Sequence, residues 1–174
     1  LDQATGAAPE PISPSAPPDR FAARMSFPDP IGLRDDVAEA VRRLTGHLCG
    51  RLVDRARGAR VLRLEAHRCD GTMVWKTVTA ATAMHEADRL LPLLEMTLDD
   101  LDAGPGIDML RLEAVQHEAR HARTPAGHAE AAARAQDRAG RDAALADLVG
   151  RLGARLGMEA ITRRHPADSH LPEK

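Results

Sequence analysis

The fold is decided around residues 63–72, which read RLEAHRCDGT. Apolar Leu64 and Ala66 alternate with polar side chains, and this period of two predicts a strand with one buried face. The Asp70-Gly71 pair that follows is the strongest short-range signal for a β-hairpin turn. The segment therefore predicts two antiparallel strands joined by a tight turn.

The third strand follows this turn, and the sequence leaves its facing open. Either Val74 and Val78 enter the core with Lys76 at a strand edge, or Met73 and Trp75 do. Apolar side chains occupy both sets of alternating positions, so the period of two does not choose between them.

Upstream of the hairpin, the sequence predicts a strand and a helix. Residues 20–27 alternate between apolar and polar side chains, and Pro28 and Pro30 are expected to end this strand. A helix follows from Asp36, because apolar residues then recur at helical spacing. These are Val37, Val41, Leu44, Leu48 and Leu52.

Downstream, the sequence predicts a second helix and a fourth strand. The helix carries apolar residues at Leu91, Leu94, Leu98 and Leu101. Pro92 is expected in its first turn or before its start, because a proline inside a helix costs about 3 kcal/mol. Residues 104–114, GPGIDMLRLEA, close the helix and open a strand with Leu110, Leu112 and Ala114 inward.

The order strand, helix, strand, strand, helix, strand predicts an α+β fold. It is the ferredoxin-like βαββαβ arrangement, a four-stranded antiparallel sheet with two helices on one face. A C-terminal helical appendage follows from Asp142, and residues 160–163 look strand-like. The predicted parts are an extended Pro-rich linker (1–19), the domain (20–118), a flexible linker (119–141) and a C-terminal helix with a short tail (142–174).

Composition and charge distribution limit the classes of function that are expected. The chain has one Trp, two Phe and no Tyr, which argues against platforms of several stacked aromatic rings. Its net charge is only −2, yet residues 51–68 hold six arginines against two acids, and residues 86–102 hold six acids against one arginine. Such polarity suits a domain that presents one end to DNA. Two cysteines fit a reducing compartment, no apolar run is long enough to cross a bilayer, and a cytoplasmic location is expected.

The strings 63–72 and 104–114 resemble the little-finger domain of ImuB-type proteins, the catalytically degenerate branch of the Y-family translesion DNA polymerases. Other strings occur in the family's order. Residues 1–4 and 9–14 are similar to the exit from its thumb, and residues 145–157 and 169–173 to the segment after its little finger. The resemblance implies a fragment whose palm, fingers and most of its thumb lie upstream.

The resemblance also implies a function. It is that of a non-catalytic DNA-binding and scaffolding module for translesion synthesis in the SOS response, which places an error-prone polymerase assembly on damaged DNA. The implied partners are DNA, an ImuA-like protein, an error-prone replicative-type polymerase and the sliding clamp. Two alternatives stay open: a protein–protein adaptor whose sheet binds another protein, and the little finger of an active Y-family polymerase, which the upstream palm would decide.

In the little finger, the sheet face opposite the helices grips the DNA backbone through cations and main-chain N–H groups. Carried over to this sequence, the expected contacts are Arg24, Arg63 and Arg111, with Lys76 on another strand and Arg60 and Arg68 at the ends of the second strand. Glu65 and Glu113 share this face and would weaken phosphate binding. Binding to DNA is therefore expected to be weak and independent of sequence.

The resemblance places a clamp-binding peptide after the little finger, at Gln136, Asp137, Arg138 and Ala139. Arg138 and Ala139 stand where apolar anchors should be, and anchors that fill pockets carry most of such binding energy. The motif is therefore interpreted as degenerate.

The sequence predicts no metal site, no catalytic site and no cofactor. The acids of residues 99–102 end an amphipathic helix, and the possible ligand pairs His67 with Cys69 and His117 with His121 lack the further ligands of a closed site. No nucleophile elbow or catalytic triad pattern is present. The fragment is expected not to be an enzyme.

Overall fold

The structure, a computed structural model, describes residues 19–119 and 129–162, with side chains of the last helix described from Arg138 onward. The predicted order of strands and helices is confirmed. The elements are β1 (Phe21–Ile31), α1 (Arg34–Asp54), β2 (Arg57–Arg68), β3 (Met73–Met84), α2 (Ala87–Leu98), β4 (Ile107–Ala119) and α3 (Ala129–Leu156), followed by a 3-10 turn at Met158–Ala160.

The four strands form one antiparallel sheet in the order β1-β4-β2-β3. The two central strands, β4 and β2, place Leu112 directly opposite Leu64, and both side chains are fully buried. The alternation seen in the sequence therefore sets which face of the sheet is covered. β1 and β3 are the edge strands.

Helices α1 and α2 cover one face of the sheet and complete the core. The predicted apolar stripe of α1 is buried, with Leu44, Leu48 and Leu52 fully inaccessible. Burying a side chain of this size contributes about 1.5–3 kcal/mol, so this stripe accounts for much of the drive to dock α1. The core lies between the helices and the inward residues of all four strands.

Three prolines, Pro28, Pro30 and Pro92, lie further inside their elements than the sequence predicts. Pro92 is the sixth residue of α2 rather than part of its first turn. The helix continues because Leu90, Leu93 and Leu94 on its inner side are buried, and their burial offsets the lost main-chain hydrogen bond. In β1 the strand continues through Pro28 to Ile31, with a break in register after Ser26. Proline is tolerated there because β1 is an edge strand.

The third helix starts earlier than predicted. α3 begins at Ala129, not at Asp142, so part of the segment expected to be a flexible linker is helical. The alanines of residues 129–135 have the highest intrinsic helix propensity, which explains the extension. The strand-like piece predicted from residue 160 is absent from the described chain up to residue 162, where a 3-10 turn at Met158–Ala160 follows the helix instead.

Helix α3 packs on the domain through small residues. Ala146 and Gly150 are buried, and a Cβ added at Gly150 would lie 3.6 Å from the Leu93 side chain. The Arg89 guanidinium of α2 donates to the Asp147 carboxylate at 2.6 Å. The helix is thus docked on α2 and β3. None of the helices in the described parts of the chain combines the length and apolar character required to cross a membrane.

Candidate nucleic-acid interface

No helix among the described residues covers the sheet face opposite α1 and α2, which we name the open face. Its central row crosses all four strands as Arg24, Arg111, Glu65 and Trp75, each directly opposite the next in the register. Because directly opposed residues point to the same side of a sheet, these four side chains share the open face. A neighbouring row contains Ala22, Glu113, Arg63 and Thr77.

Arg111 is held by two carboxylates on this face. Its Nη1 donates to the Glu65 Oε2 at 3.0 Å, and its Nη2 lies 2.8 Å from the Glu113 Oε2. The side chains of Glu65 and Glu113 are only 10% and 16% exposed, so water screens these pairs poorly. Arg111 therefore ties β4 to β2, and its charge is already balanced before any ligand arrives.

Arg24 and Arg63 are the two arginines of the open face without such partners. Arg24 is exposed on β1, and none of the ion pairs among the described residues includes it. Arg63 is half-buried on β2, and its Nε is buried without a hydrogen-bond partner in the described parts of the chain. An anion that reached this guanidinium would meet an unsatisfied donor.

The positive character of the open face continues around the edge of β1. A cleft of about 660 Å³ lies between β1 and α1, and its charged lining consists of Arg24, Arg51 and Arg111 against Asp54. Arg51 donates to the carbonyl oxygen of Ala22, so part of its donor capacity holds the helix against the strand. Together with the arginines on the sheet, this cleft makes the β1 side the more basic half of the face.

Lys76 does not share the open face with the predicted arginines. It lies opposite Leu64, which is fully buried, so it belongs to the side that the helices cover. Of the two facings considered for β3, the first is the one observed: Val78 is buried and Val74 packs against the core. The expectation that Lys76 points outward with Arg24, Arg63 and Arg111 is therefore wrong.

The other two predicted contacts make intramolecular bonds. Arg60 Nε lies 3.1 Å from Glu118 Oε1, and its guanidinium also donates to the carbonyl oxygen of Ala81. The Arg68 side chain is only 13% exposed, and its Nη2 lies 2.6 Å from the main-chain oxygen of Asp102 and 2.9 Å from its carboxylate. These contacts fasten β2 to β3, β4 and the loop before β4.

The loop before β4 is shaped around Arg68. Gly104 has a φ of +55°, and a Cβ there would stand 3.0 Å from the Arg68 side chain. Glycine is favoured at this position by both its backbone conformation and the lack of space. Arg68 is thus part of a structural junction between β2 and β4.

Trp75 is the feature of the open face that the sequence did not place. Its side chain is 56% exposed and that of its neighbour Met73 is 43% exposed. The facing of β3 was ambiguous because its apolar residues occupy both sets of alternating positions. A preference for burying the branched Val74 and Val78 on a pleated surface was the only signal available.

The segment expected to bind a clamp lies in α3. Gln136 and Asp137 belong to this helix, but their side chains lie outside the described ones; Arg138 is exposed and Ala139 is half-buried. Within residues 19–119 and 129–162, no group of three or more His, Cys, Asp or Glu side chains could hold a metal ion.

The sequence is similar to a known family and to named proteins. Residues 19–122 match the family model described as the impB/mucB/samB family C-terminal domain. Protein ImuB of Caulobacter vibrioides is 34% identical over 174 residues, which is 100% of this chain and 37% of the relative. The chain thus spans 37% of the length of the curated relatives it matches.

Solved structures are similar in fold. A Y-family DNA polymerase chimera of Dbh and Dpo4 has a TM-score of 0.51 at 10% identity, covering 65% of this chain and 32% of the other. A ternary complex of Dbh has a TM-score of 0.50 at 9% identity, covering 57% of this chain and 29% of the other. The fold of this domain is therefore that of a domain found in Y-family polymerases.

Proposed function

Since the chain belongs to the impB/mucB/samB family and carries its C-terminal domain, we propose that it is a non-catalytic DNA-binding module of a translesion-synthesis protein. The observation that supports this most is the pair Arg24 and Arg63, which stand on the open face without ion-pair partners among the described residues. The module would hold DNA while an error-prone polymerase assembly acts on the damage. A protein–protein adaptor is the alternative function that a DNA titration distinguishes from it.

The chemistry of the open face suits phosphates better than base edges. Guanidinium groups neutralise phosphates whatever the sequence, and each contact releases a counterion. With two available cations, the logarithm of the DNA-binding constant is expected to fall with the logarithm of salt concentration with a slope of about −2, because each phosphate contact contributes about −0.9. Binding by this domain alone is accordingly weak and independent of sequence.

The larger assembly follows from the family rather than from this domain. We propose that this protein acts in the cytoplasm during the SOS response. Its proposed partners are an ImuA-like protein, an error-prone replicative-type polymerase and a sliding clamp. The similarity to protein ImuB over the whole of this chain supports this context. The degenerate segment in α3 predicts that other parts of the protein or assembly contribute most of the clamp affinity.

One observation favours the adaptor. Glu65 and Glu113 nearly balance the arginines of the open face, and Trp75 and Met73 expose apolar surface there. A face of this composition also suits a protein partner, because tryptophan and methionine are enriched in interfaces.

A DNA titration separates the two functions. Fluorescence anisotropy of a labelled duplex is measured with the native domain between about 50 and 200 mM salt, because log K falls linearly with log salt concentration when phosphate contacts release counterions. The DNA-binding proposal predicts saturable binding at low salt that weakens steeply and does not depend on duplex sequence. Absence of binding at the lowest salt would reject the proposal in favour of the adaptor.

A further inference from the structure

The largest apolar side chain on the open face is also one of its most exposed. Trp75 is 56% exposed on an edge strand, whereas the side chains of the core beneath it are fully buried. Trp75 and its exposed neighbour Met73 leave apolar surface in water on this face, and an exposed indole can stack on the flat ring of a ligand. Neither packing in the core nor the ion pairs of the open face explain why Trp75 is exposed.

Trp75 and the available cations lie on opposite sides of the same face. In the central row Arg24 is on β1 and Trp75 is on β3, and three strand spacings separate them, about 14 Å. The Arg111–Glu65 pair lies between them. A strand of DNA that crosses the sheet would therefore meet cations first and a flat ring afterwards.

We propose that Trp75 is a stacking position for an unpaired nucleobase, so that this domain prefers a junction of duplex and single-stranded DNA to a blunt duplex. The inference rests on the proposed DNA-binding function. Bases inside a duplex are covered by their neighbours, while an unpaired base offers its π-face to an aromatic ring. One ring gives one stacking position, which is consistent with a chain that has so few aromatics.

The chain contains a single tryptophan, so its intrinsic fluorescence reports on Trp75 alone. The native domain is titrated with a blunt duplex and with the same duplex carrying a single-stranded extension. The stacking model predicts tighter binding of the extended DNA, and quenching of the indole emission that saturates together with anisotropy. Because the native protein is used, this readout does not depend on whether a variant folds.

Variants then assign the effect to the ring. Trp75→Ala is expected to weaken binding of the extended DNA by about fivefold or more, from the usual strength of base–aromatic stacking, and to leave blunt duplex unchanged. Trp75→Phe should keep part of the preference. Thr77→Ala, an exposed neighbour on the same strand and face, is the matched control and should change neither affinity.

The possible failures are distinguishable. DNA binding seen by anisotropy without any change in indole emission, or an equal loss on both DNAs in Trp75→Ala, would overturn the stacking position and leave the proposed function in place. If neither DNA binds the native domain at low salt, the proposed function is rejected and the stacking position with it. In that case the exposed indole is assigned to a protein interface.

Discussion

Arg111 on β4 and Glu65 on β2 are directly opposed across the sheet, and the guanidinium Nη1 lies 3.0 Å from the carboxylate Oε2. Glu113 lies two residues along β4, and its Oε2 is 2.8 Å from Nη2 of the same guanidinium. Arg111, one of the arginines that the family resemblance assigns to DNA, is therefore paired with two poorly exposed carboxylates. It joins the two central strands, whereas Arg24 and Arg63 on the same face have no ion-pair partner among the described residues.

This pairing predicts a stability effect at Arg111. Arg111→Ala leaves the Glu65 and Glu113 carboxylates without their counter-ion, and is expected to lower the free energy of unfolding by about 1.5–3 kcal/mol, as for lost hydrogen bonds to charged groups. Urea denaturation measures the change. Arg24→Ala, at the exposed neighbouring position, is the control and should stay within about 0.5 kcal/mol of the native protein. Equal stability of all three proteins would show that the ion pairs contribute nothing.

The register of the central strands predicts a larger effect in the core. Leu64→Ala or Leu112→Ala should each destabilise by about 2–5 kcal/mol, because both side chains are fully buried and a cavity would remain. Leu156→Ala on α3, where the side chain is 64% exposed, is the matched control. If the core variants melt with the native protein, the strand facing is shifted by one residue and Arg63 and Arg111 are not on the open face.

Burial of Cys49 predicts a loss of stability at alkaline pH. Burial raises the pKa of its thiol from 9.0 to about 11. Between these values the thiol ionises in the unfolded chain but stays protonated in the native one, so stability falls as pH rises. Denaturation at several pH values from about 8 to 11 measures the slope, and Cys49→Ala should flatten it. An unchanged slope in this variant would assign the loss to other groups, although the chain has no tyrosine to contribute.

The segment in α3 predicts poor clamp binding. A peptide of residues 130–145 should bind a sliding clamp weakly or not at all, because Arg138 and Ala139 occupy the positions of the apolar anchors. Arg138→Leu with Ala139→Phe should create affinity that calorimetry detects. Tight binding by the unmodified peptide would contradict the interpretation, and an inert restored peptide would show that the motif is not in this segment.

The sequence predicted the parts of the fold where one face of an element is apolar and the other is not. Strands β2 and β4 alternate over residues 62–67 and 110–114, and the Asp70-Gly71 turn joins β2 to β3, so the inward residues of both strands and the order of the elements followed. For β3 the pattern was ambiguous, and Lys76 was placed on the wrong side. The start of α3 was missed because alanine marks no apolar stripe, although its helix propensity is high.

The site was harder to predict than the fold. Arg24, Arg63 and Arg111 do lie on the open face, as alternation predicted. Arg68 contacts the main-chain oxygen of Asp102, which is 34 positions away in the sequence. No local sequence pattern reveals a contact between residues so far apart. The exposure of Trp75 likewise depends on the facing of β3.

The central claim is that DNA binds through the free arginines of the open face, and two double variants of equal charge test it most directly. Arg24→Gln with Arg63→Gln changes the open face, while Arg42→Gln with Arg43→Gln removes the same charge from exposed positions on α1, the helix that covers the other side of the sheet. Anisotropy with a labelled duplex is measured for both across a salt series. We expect the first pair to weaken binding and flatten the salt slope by about 0.9 per lost contact, and the second to leave both close to native. Equal effects of the two pairs, or no effect of the first, would contradict the account.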